Sequence, residues 1–527
     1  MSKPPRRKFL KMLGLSSATV LTAPLSVKVG GAPLSSSTAR DALVLNPDAF
    51  RAQLGDEDEA AWLKRNVPFF ECPDAAIQEI YYYRWRVFRK HIKHTPDGFI
   101  VTEFLPPVEW AGKHNSICCP AGHQFREGRW LHNQKYLDDY AVFWFRKGGE
   151  PRRYSFWAAD SIYAKYLVDD DSKVVMDLLP DLMDNYRAWE KTNLDASGLF
   201  HQYDNRDGME YSIGSGGYLP DYRQRKPSDY RPTINSYMYG DAAAIAKIAA
   251  LAKRRDVASE YRQKAAKIKC LVQSVLWDKN DNFFKALPRE KSSRLADVRE
   301  QIGYVPWYFN LPDAGYEVAW KQLIDPNGFE APFGPTTAER RHPKFMFEAD
   351  HPCLWNGPSW PFATTQTLVA LANLLNDYQQ PHLGKRDYLK LLQTYARSQH
   401  ITLADGKTVT WIDEDLHPDT GEWIARKWLY ERNDPLKDRG QYYNHSGYCD
   451  LVISGLIGIR PRSDSMLEVN PLVPDQTWDY FALDRVPYHG RMLSVLYDRT
   501  GERYRRGRVC ECLWTGGKSP SQTRFKN

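Results

Sequence analysis

The chain has 527 residues, enough to bury a large core, and 42 % of them are hydrophobic, an ordinary share for a globular protein. Its formal net charge is +7, from 72 Lys and Arg against 65 Asp and Glu, with both signs spread along the chain. No segment expected to fold is basic enough for a nucleic-acid surface. The 17 Trp and 31 Tyr are unusual, and they fit either a large helical core or a site where aromatic rings stack on sugars.

The N-terminus has the pattern of an export signal. Arg6 and Arg7 precede a modest apolar stretch, residues 12–25, that is too short and too polar to span a membrane. This order resembles the twin-arginine signal of bacteria. We therefore expect residues 1–40 to be a signal peptide and tail, and the protein to be periplasmic or secreted without a membrane anchor.

From about residue 55 to 460, amphipathic helical stretches alternate with long connections rich in aromatic residues, Gly and Pro. Many helices and few strands in one large domain, residues 41–462, predict a toroid of helical hairpins. The predicted helices are 75–91, 137–146, 161–167, 172–191, 236–253, 258–276, 364–376, 385–397 and 447–459.

After Pro461 the pattern changes. Residues 466–470 and 492–498 alternate apolar and polar side chains, as strands do. We expect residues 463–515 to form a small β-sandwich-like module packed on the toroid, and residues 516–527 to be a disordered tail.

Several enzyme classes leave no signature in this chain. The sequence has no phosphate loop, dinucleotide fingerprint or nucleophile elbow, and its eight cysteines show no convincing zinc spacing. We expect neither a metal nor a cofactor.

Two acidic loops stand out instead, residues 207–212 (Asp-Gly-Met-Glu-Tyr-Ser) and residues 411–421, which contain Asp-Glu-Asp. Glycosidic cleavage uses one carboxylic acid to protonate the leaving oxygen and a second carboxylate to activate water or attack carbon. Loops on a rigid scaffold suit that task. A surface carboxylate that is merely solvated is the alternative for each.

Five segments together resemble the glycosidases of family 63, which include processing α-glucosidases and mannosylglycerate hydrolases. The resemblance covers roughly residues 150 to 460, in the expected order, and it implies an (α/α)6 toroid. In this family the general acid lies in the segment matched by residues 208–212, and the general base in the segment matched by residues 414–421. The segments are 157–160, 208–212, 235–239, 355–361 (Trp-Asn-Gly-Pro-Ser-Trp-Pro) and 414–421.

The match has one departure. Glu210 stands where the family has Asp, which lengthens the side chain by one methylene. The Asp-Gly-Met-Glu loop and residues 443–446 resemble more closely the mannosylglycerate-hydrolase-like group that includes the β-L-arabinofuranosidases of family 142. This departure bears on the identity of the substrate sugar and not on the reaction class that the resemblance implies.

The resemblance implies a role for each residue that it matches. Glu210 is the expected general acid and Glu414 the expected base, with Asp413, Glu422 and Glu431 as rivals for the base. Asp207 is a second candidate for the acid or a hydroxyl ligand. Trp157, Trp355 and Trp360 are candidate sugar platforms, with a buried barrel position as the alternative. Candidate hydroxyl-binding residues are Asp160, Asn235, Arg340, Asn356 and His445.

The sequence thus predicts an exported glycoside hydrolase that removes a terminal sugar from an oligosaccharide or a polysaccharide side chain by inversion. Three alternatives stay open: a sugar phosphorylase, a non-catalytic glycan-binding protein, and an epimerase with a histidine pair drawn from His123, His445 and His489. A histidine pair in the pocket would favour the epimerase, and two facing carboxyls would favour hydrolysis.

Overall fold

Helices dominate the structure, a computed structural model that describes residues 44–215, 228–289, 294–515 and 522–525. The expected signal segment, residues 1–40, lies outside the described residues. The helices are α1 (Glu57–Asn66), α2 (Ala75–His91), α3 (Ala121–Gly128), α4 (Lys135–Arg146), α5 (Ala158–Asp169), α6 (Ser172–Asp177), α7 (Leu179–Asn193), α8 (Pro232–Leu251), α9 (Arg255–Val275), α10 (Val305–Tyr308), α11 (Pro361–Asp377), α12 (Lys385–Ser398) and α13 (Ile424–Glu431). A π-helix spans Leu451–Leu456, and 3-10 helices span Pro47–Gln53, Lys113–Asn115, Asp204–Arg206, Gln301–Tyr304 and Glu317–Ile324.

An inner ring of helices surrounds the barrel axis. Helices α3, α5, α8, α10, α11 and the π-helix contact one another in that order. The ring closes through Glu127, whose carboxylate accepts hydrogen bonds from the backbone N–H groups of Tyr448, Cys449 and Asp450. A carboxylate at this point satisfies N–H groups that the start of a helix leaves unpaired. The predicted (α/α)6 fold is confirmed.

Inner and outer helices differ in which faces they bury. In α11 every residue from Pro361 to Leu374 is buried, because neighbours surround this helix. In α9 the buried residues recur at helical spacing, for example Val257, Tyr261, Ile268 and Val272, so only one face packs inward. This contrast is what a double ring of helices requires.

The predicted helices coincide with observed ones, and one of them is divided. The predicted stretch 172–191 is two helices, α6 and α7, which meet at Leu178. Pro180 lies in the first turn of α7, where a missing N–H costs nothing. The predicted helix 447–459 contains the π-helix.

The C-terminal sheet also recruits a strand from the start of the chain. The strands are β1 (Phe69–Glu71), β2 (Ile92–Thr95), β3 (Gly98–Val101), β4 (Trp277–Asp278), β5 (Phe283–Phe284), β6 (His400–Thr402), β7 (Thr408–Thr410), β8 (Met466–Val469), β9 (Tyr480–Tyr488), β10 (Arg491–Asp498), β11 (Val509–Thr515) and β12 (Gln522–Phe525). Four of them form an antiparallel sheet in the order β1-β9-β10-β11, with Phe69 opposite Asp484. The sheet therefore joins the two ends of the described chain.

The predicted strands at 466–470 and 492–498 coincide with β8 and β10. Within the segment expected to be a disordered tail, β12 pairs in parallel with β8. Residues 516–521 and 526–527 lie outside the described residues. From residue 44 onward the described residues form one compact unit. In this part of the chain, every helix is too short or too polar to cross a bilayer.

Candidate active site

One cavity of about 470 Å³ is lined by four carboxylates, from Glu103, Glu210, Glu414 and Asp434. We call it the carboxylate cavity. Its volume falls in the range of about 300–1,000 Å³ that is usual for small-molecule sites. The wall is mainly aromatic, with Phe104, Trp110, Tyr154, Trp355, Trp360, Phe362, Trp428 and Tyr443. Such a wall around a few acids suits a sugar, which offers both apolar C–H faces and hydroxyl groups.

Backbone contacts hold three distant loops together at this cavity. The N–H of Trp355 donates to the carbonyl of Glu210 at 2.9 Å. Ser359 and Leu416 exchange two N–H···O bonds, both 2.9 Å long. The loop of residues 355–361 is thus tied on one side to the segment that contains Glu210 and on the other to the segment that contains Glu414. The two acidic loops of the sequence therefore meet through residues 355–361, which we call the tryptophan loop.

The loop before Glu210 is anchored by Asp207. The Asp207 carboxylate accepts hydrogen bonds from Ser155 Oγ at 2.5 Å, from Arg231 Nε at 2.7 Å, and from Thr233. Both side chains of the Asp207–Arg231 pair are fully buried. Gly208 has φ +70° and lies so close to Cys119 that a Cβ would be 2.6 Å from Sγ. Only glycine fits there, and the turn it makes leads the chain to Glu210.

Glu210 lies in an environment that favours its neutral form. Burial, and secondarily the negative charges of Asp204, Glu414 and Glu103, raise the pKa of Glu210 to about 8. Desolvation and like charges both disfavour a carboxylate anion. Glu210 therefore keeps its proton at neutral pH and is able to donate it.

Glu414 lies in a different environment. Its Oε1 accepts a hydrogen bond from Arg439 Nε at 2.8 Å, and its Oε2 accepts one from the Cys353 thiol at 2.8 Å. Only 2 % of Glu414 is exposed. A guanidinium paired with a buried carboxylate stabilises the ionised form. The two glutamates thus lie in one cavity with opposite electrostatic partners.

Glu103 is a cavity residue that the sequence reasoning missed. It is 6 % exposed, and the Tyr443 hydroxyl donates to its Oε1 at 2.6 Å. Burial, opposed in part by that hydrogen bond, raises its pKa to about 8. In the sequence, Glu103 is marked only by its position directly after a β-hairpin, in a loop with aromatic and Pro residues. Arg439 and Cys353 were missed as well.

Trp355 and Trp360 both line the carboxylate cavity and stack on each other, with ring centroids 4.7 Å apart and planes at 15°. The Trp360 indole donates to the carbonyl of Leu354 at 2.8 Å. The Trp355 indole N–H is buried and has no hydrogen-bond partner among the described residues. His445 also lines the cavity, and its ring lies 3.7 Å from that of Tyr443.

Six of the expected binding residues lie outside the cavity wall. Trp157 is 0 % exposed and packs on His123 and Tyr237 in the core. Asn235 hydrogen-bonds the backbone of Phe200, and Asn356 hydrogen-bonds the backbone of Phe347.

The charged candidates also lie away from the carboxylate cavity. Arg340 pairs with Asp419 at 3.0 Å, and Asp160 lines a second cavity. With Asp207, these residues support loops and helices around the site.

Glu414 is the one among the candidates for the base that lines the cavity. Asp413 is buried behind it, with its Oδ1 bonded to the N–H of Glu414 at 2.9 Å. Glu422 lines a separate surface groove and pairs with Lys427, and Glu431 is exposed. These four acids lie close together in the chain, so only their packing in the folded protein shows which of them reaches the cavity.

Residues 113–446 match the model of the mannosylglycerate hydrolase MGH1-like glycoside hydrolase domain. The chain belongs to this family. The match spans more than half of the sequence and includes Glu210 and Glu414, and it confirms the resemblance stated above. Residues 459–511 match the C-terminal domain of glycosyl hydrolase family 65.

Solved structures show the same architecture. A sialidase is 41 % identical, with a TM-score of 0.80 over 89 % of this chain and 42 % of that chain. A family 78 rhamnosidase from Bacillus sp. GL1 is 11 % identical, with a TM-score of 0.52 over 82 % of this chain and 40 % of that one. The family 63 mannosylglycerate hydrolase of Thermus thermophilus is 13 % identical, with a TM-score of 0.50 over 70 % of this chain and 98 % of that one.

The chain spans less than half of the length of the sialidase that it matches. The likeness to the rhamnosidase and to the mannosylglycerate hydrolase shows the fold alone. In the described part of the chain, no three His, Cys, Asp or Glu side chains are grouped in a way that could hold a metal ion.

Proposed function

We propose that this chain is a glycosidase that removes a terminal sugar with inversion, with Glu210 as general acid and Glu414 as general base. One observation supports this assignment above the others. Two carboxylates of the same cavity have opposite electrostatic environments, since burial keeps Glu210 protonated and Arg439 pairs with Glu414. Acid and base roles are separated in this way when one fold performs both at neutral pH.

In the proposed reaction the sugar packs against the Trp355–Trp360 pair. Glu210 passes its proton to the glycosidic oxygen as the bond to the anomeric carbon breaks. Glu414 takes a proton from a water molecule, which attacks that carbon from the opposite face. Arg439 and Cys353 fix the orientation of the Glu414 carboxylate through their hydrogen bonds. The substrate class is a terminal sugar on an oligosaccharide or a polysaccharide side chain.

The epimerase alternative is weaker. His445 and His351 line the carboxylate cavity, but His123 and His489 do not. Burial lowers the pKa of His351 below its usual range. Burial lowers the pKa of His445 well below its usual range and that of His123 to about 3. All three rings are therefore neutral at working pH, and none is suited to serve as a proton donor.

The decisive experiment combines product stereochemistry with two variants. A panel of aryl glycosides that includes L-arabinofuranosides, L-rhamnosides, α-glucosides and α-mannosides identifies a substrate, and NMR of the first-formed sugar then gives its configuration. Inversion is expected, and retention would overturn the mechanism. Glu210→Gln and Glu414→Gln should each lower kcat by about 10²–10⁴-fold. A good leaving group should rescue only Glu210→Gln, and Glu422→Gln is the control.

We further propose that residues 1–40 direct export by the twin-arginine route, and that residues 463–515 form a module packed on a barrel that ends near residue 462. Arg6 and Arg7 ahead of a short apolar run support the first proposal. Replacement of both by Lys should leave precursor in the cytoplasm, and unchanged delivery to the periplasm would contradict it.

A further inference from the structure

Glu103 is the buried carboxyl of the carboxylate cavity that has no role in the proposed mechanism. Glu210 is the proposed acid and Glu414 the proposed base. Asp434 is only half-buried, and its Oδ1 accepts a hydrogen bond from the N–H of Leu436 in its own turn, at 2.7 Å. Glu103 is 6 % exposed, and a buried carboxyl is costly unless hydrogen bonds satisfy both of its oxygens.

One oxygen of Glu103 is bonded within the protein, and the other faces the cavity. Its Oε1 accepts a hydrogen bond of 2.6 Å from the Tyr443 hydroxyl. Burial raises the pKa of Tyr443 well above its usual range, so this hydroxyl stays a donor. Oε2 has no hydrogen bond to any described residue and still has accessible surface. Because Glu103 lines the cavity wall, that surface opens into the cavity.

Glu103 offers a donor as well as an acceptor at this position. Burial raises its pKa to about 8, although the hydrogen bond from Tyr443 acts in the opposite direction. The neutral carboxyl then has its carbonyl oxygen toward the Tyr443 hydroxyl and its proton on Oε2. An ionised carboxylate can only accept hydrogen bonds, whereas a carboxylic acid can also donate one. A sugar hydroxyl, which both donates and accepts, is a suitable partner for such a group.

Glu103 also lies close to the proposed acid and to the proposed base. Besides burial, the charge of Glu103 raises the pKa of Glu210, and the charge of Glu414 raises that of Glu103. A sugar ring held between the acid and the base therefore also lies against Glu103. Arg439 is the one Arg or Lys among the described residues of the wall, and it is already bonded to Glu414. A neutral hydroxyl therefore fits this space better than a carboxylate substituent.

We propose that Glu103 determines specificity by binding one free hydroxyl of the terminal sugar through Oε2, with Tyr443 as the residue that orients it. The inference rests on the proposed function, because it takes the sugar to lie between Glu210 and Glu414. A site built to bond a hydroxyl rejects an analogue that lacks it, since the buried group then stays unpaired. Glu103 thus selects a neutral sugar with a free hydroxyl at one fixed ring position.

The test compares monodeoxy analogues of the aryl glycoside that the substrate panel identifies. Each ring hydroxyl is removed in turn, and kcat/KM is measured for the wild type and for Glu103→Met. In the wild type, one analogue should be about 10²-fold poorer than the parent substrate. In Glu103→Met that analogue and the parent should be nearly equal, because the group that distinguishes them is gone. Glu103→Gln keeps a carbonyl for Tyr443 and an N–H for the sugar, so it should retain most of the discrimination.

Two controls separate hydroxyl binding from a purely structural role. Glu317 is a buried glutamate outside the cavity wall, 7 % exposed and bonded to the N–H of Gly315, so Glu317→Met should leave every ratio unchanged. The double variant Glu103→Met/Tyr443→Phe removes both partners of the buried bond and leaves no unpaired hydroxyl behind. It should lose the same discrimination, and urea unfolding shows that each variant is folded.

The outcomes distinguish this inference from the proposed mechanism. Deoxy penalties that are the same in the wild type and in folded Glu103→Met would overturn the inference, even if the reaction inverts. Retention would instead overturn the mechanism, and the deoxy series would still decide the role of Glu103. Calorimetry with free L-arabinose, L-rhamnose, glucose and mannose, and with their deoxy forms, gives a readout that needs no turnover. A wild type that neither cleaves the glycosides nor binds any of these sugars would also overturn the inference.

Discussion

Arg439 donates a hydrogen bond of 2.8 Å from its Nε to Oε1 of Glu414, and both side chains are almost entirely buried. The pair lies at the wall of the carboxylate cavity, 25 residues apart in the chain. A buried carboxylate that loses such a partner is left with an uncompensated charge. The behaviour of the proposed base should therefore depend on this arginine.

Arg439→Met should lower kcat far more than it changes KM, because Glu414 loses the hydrogen bond that orients its carboxylate. Removal of one partner from a buried pair also costs about 3–5 kcal/mol of stability. Arg439→Lys keeps the charge and should lower kcat less. Arg499→Met, which breaks an exposed pair with Asp479, is the control. An unchanged kcat in Arg439→Met would contradict the proposed role of Glu414.

The basic limb of the kcat/KM–pH profile should reflect Glu210. Burial raises its pKa to about 8, and a general acid works only while protonated. The value of kcat/KM should therefore fall as the pH rises above about 8, and the fall should be absent in Glu210→Gln. Glu103 has a similarly raised pKa, so Glu103→Gln is the necessary comparison. If the limb disappears in Glu103→Gln and persists in Glu210→Gln, the acid is Glu103.

The same raised pKa predicts a pH-dependent stability. Between its usual pKa of 4.5 and about 8, Glu210 binds a proton in the folded state that the unfolded chain has released. Its contribution to stability is complete below pH 4.5 and is lost as the pH rises through 8. Glu210→Gln should therefore have a higher Tm than the wild type at pH 8 and an equal Tm near pH 4. Equal Tm values at both pH values would contradict the burial argument, and Glu422→Gln serves as the exposed control.

The tryptophans offer a matched comparison between the site and the core. Trp355 lines the carboxylate cavity, and Trp157 lies outside it at 0 % exposure. Trp355→Phe should raise KM several-fold with little change in Tm. Trp157→Ala should cost about 3–5 kcal/mol of stability with near-normal kinetics in the folded fraction. Urea unfolding measures the stability of both variants, and steady-state kinetics measure their KM and kcat. A large loss of stability with an unchanged KM in Trp355→Phe would show that Trp355 has a purely structural role.

Asp207→Ala should destabilise the protein and reduce the contribution of Glu210 to kcat, although Asp207 does not line the carboxylate cavity. The change leaves the buried Arg231 guanidinium without its carboxylate, a loss of about 3–5 kcal/mol. Because Asp207 anchors the turn that precedes Glu210, kcat should fall while the leaving-group dependence stays that of the wild type. A variant with wild-type stability would show that the buried pair contributes little.

Local sequence patterns determined much of the secondary structure. Helical spacing of apolar residues predicted α2 with its observed bounds, and alternation predicted β8 and β10. These patterns work because a helix or a strand buries one face, and the period of that face is written in consecutive residues. The break at Leu178 was less visible, because the apolar period continues on both sides of it.

The two acidic loops and the tryptophan loop were also visible in the sequence, as Gly-, Pro- and Trp-rich segments that resemble a known family. Their mutual placement was not. Trp157, Asn235 and Asn356 belong to the same set of segments, yet their side chains point into the core or bind neighbouring backbone. Motif membership selects a loop, whereas packing selects which of its side chains reach the cavity.

Glu103 marks what only the tertiary structure decided. It has no motif, and the N–H of Asn444, far away in the chain, donates to its backbone carbonyl at 3.1 Å. Tyr443 from the same distant segment then bonds its carboxyl. Contacts between segments several hundred residues apart leave no local period or spacing to recognise. They exist only once the ring of helices has closed, because that closure alone brings the two segments within hydrogen-bonding distance.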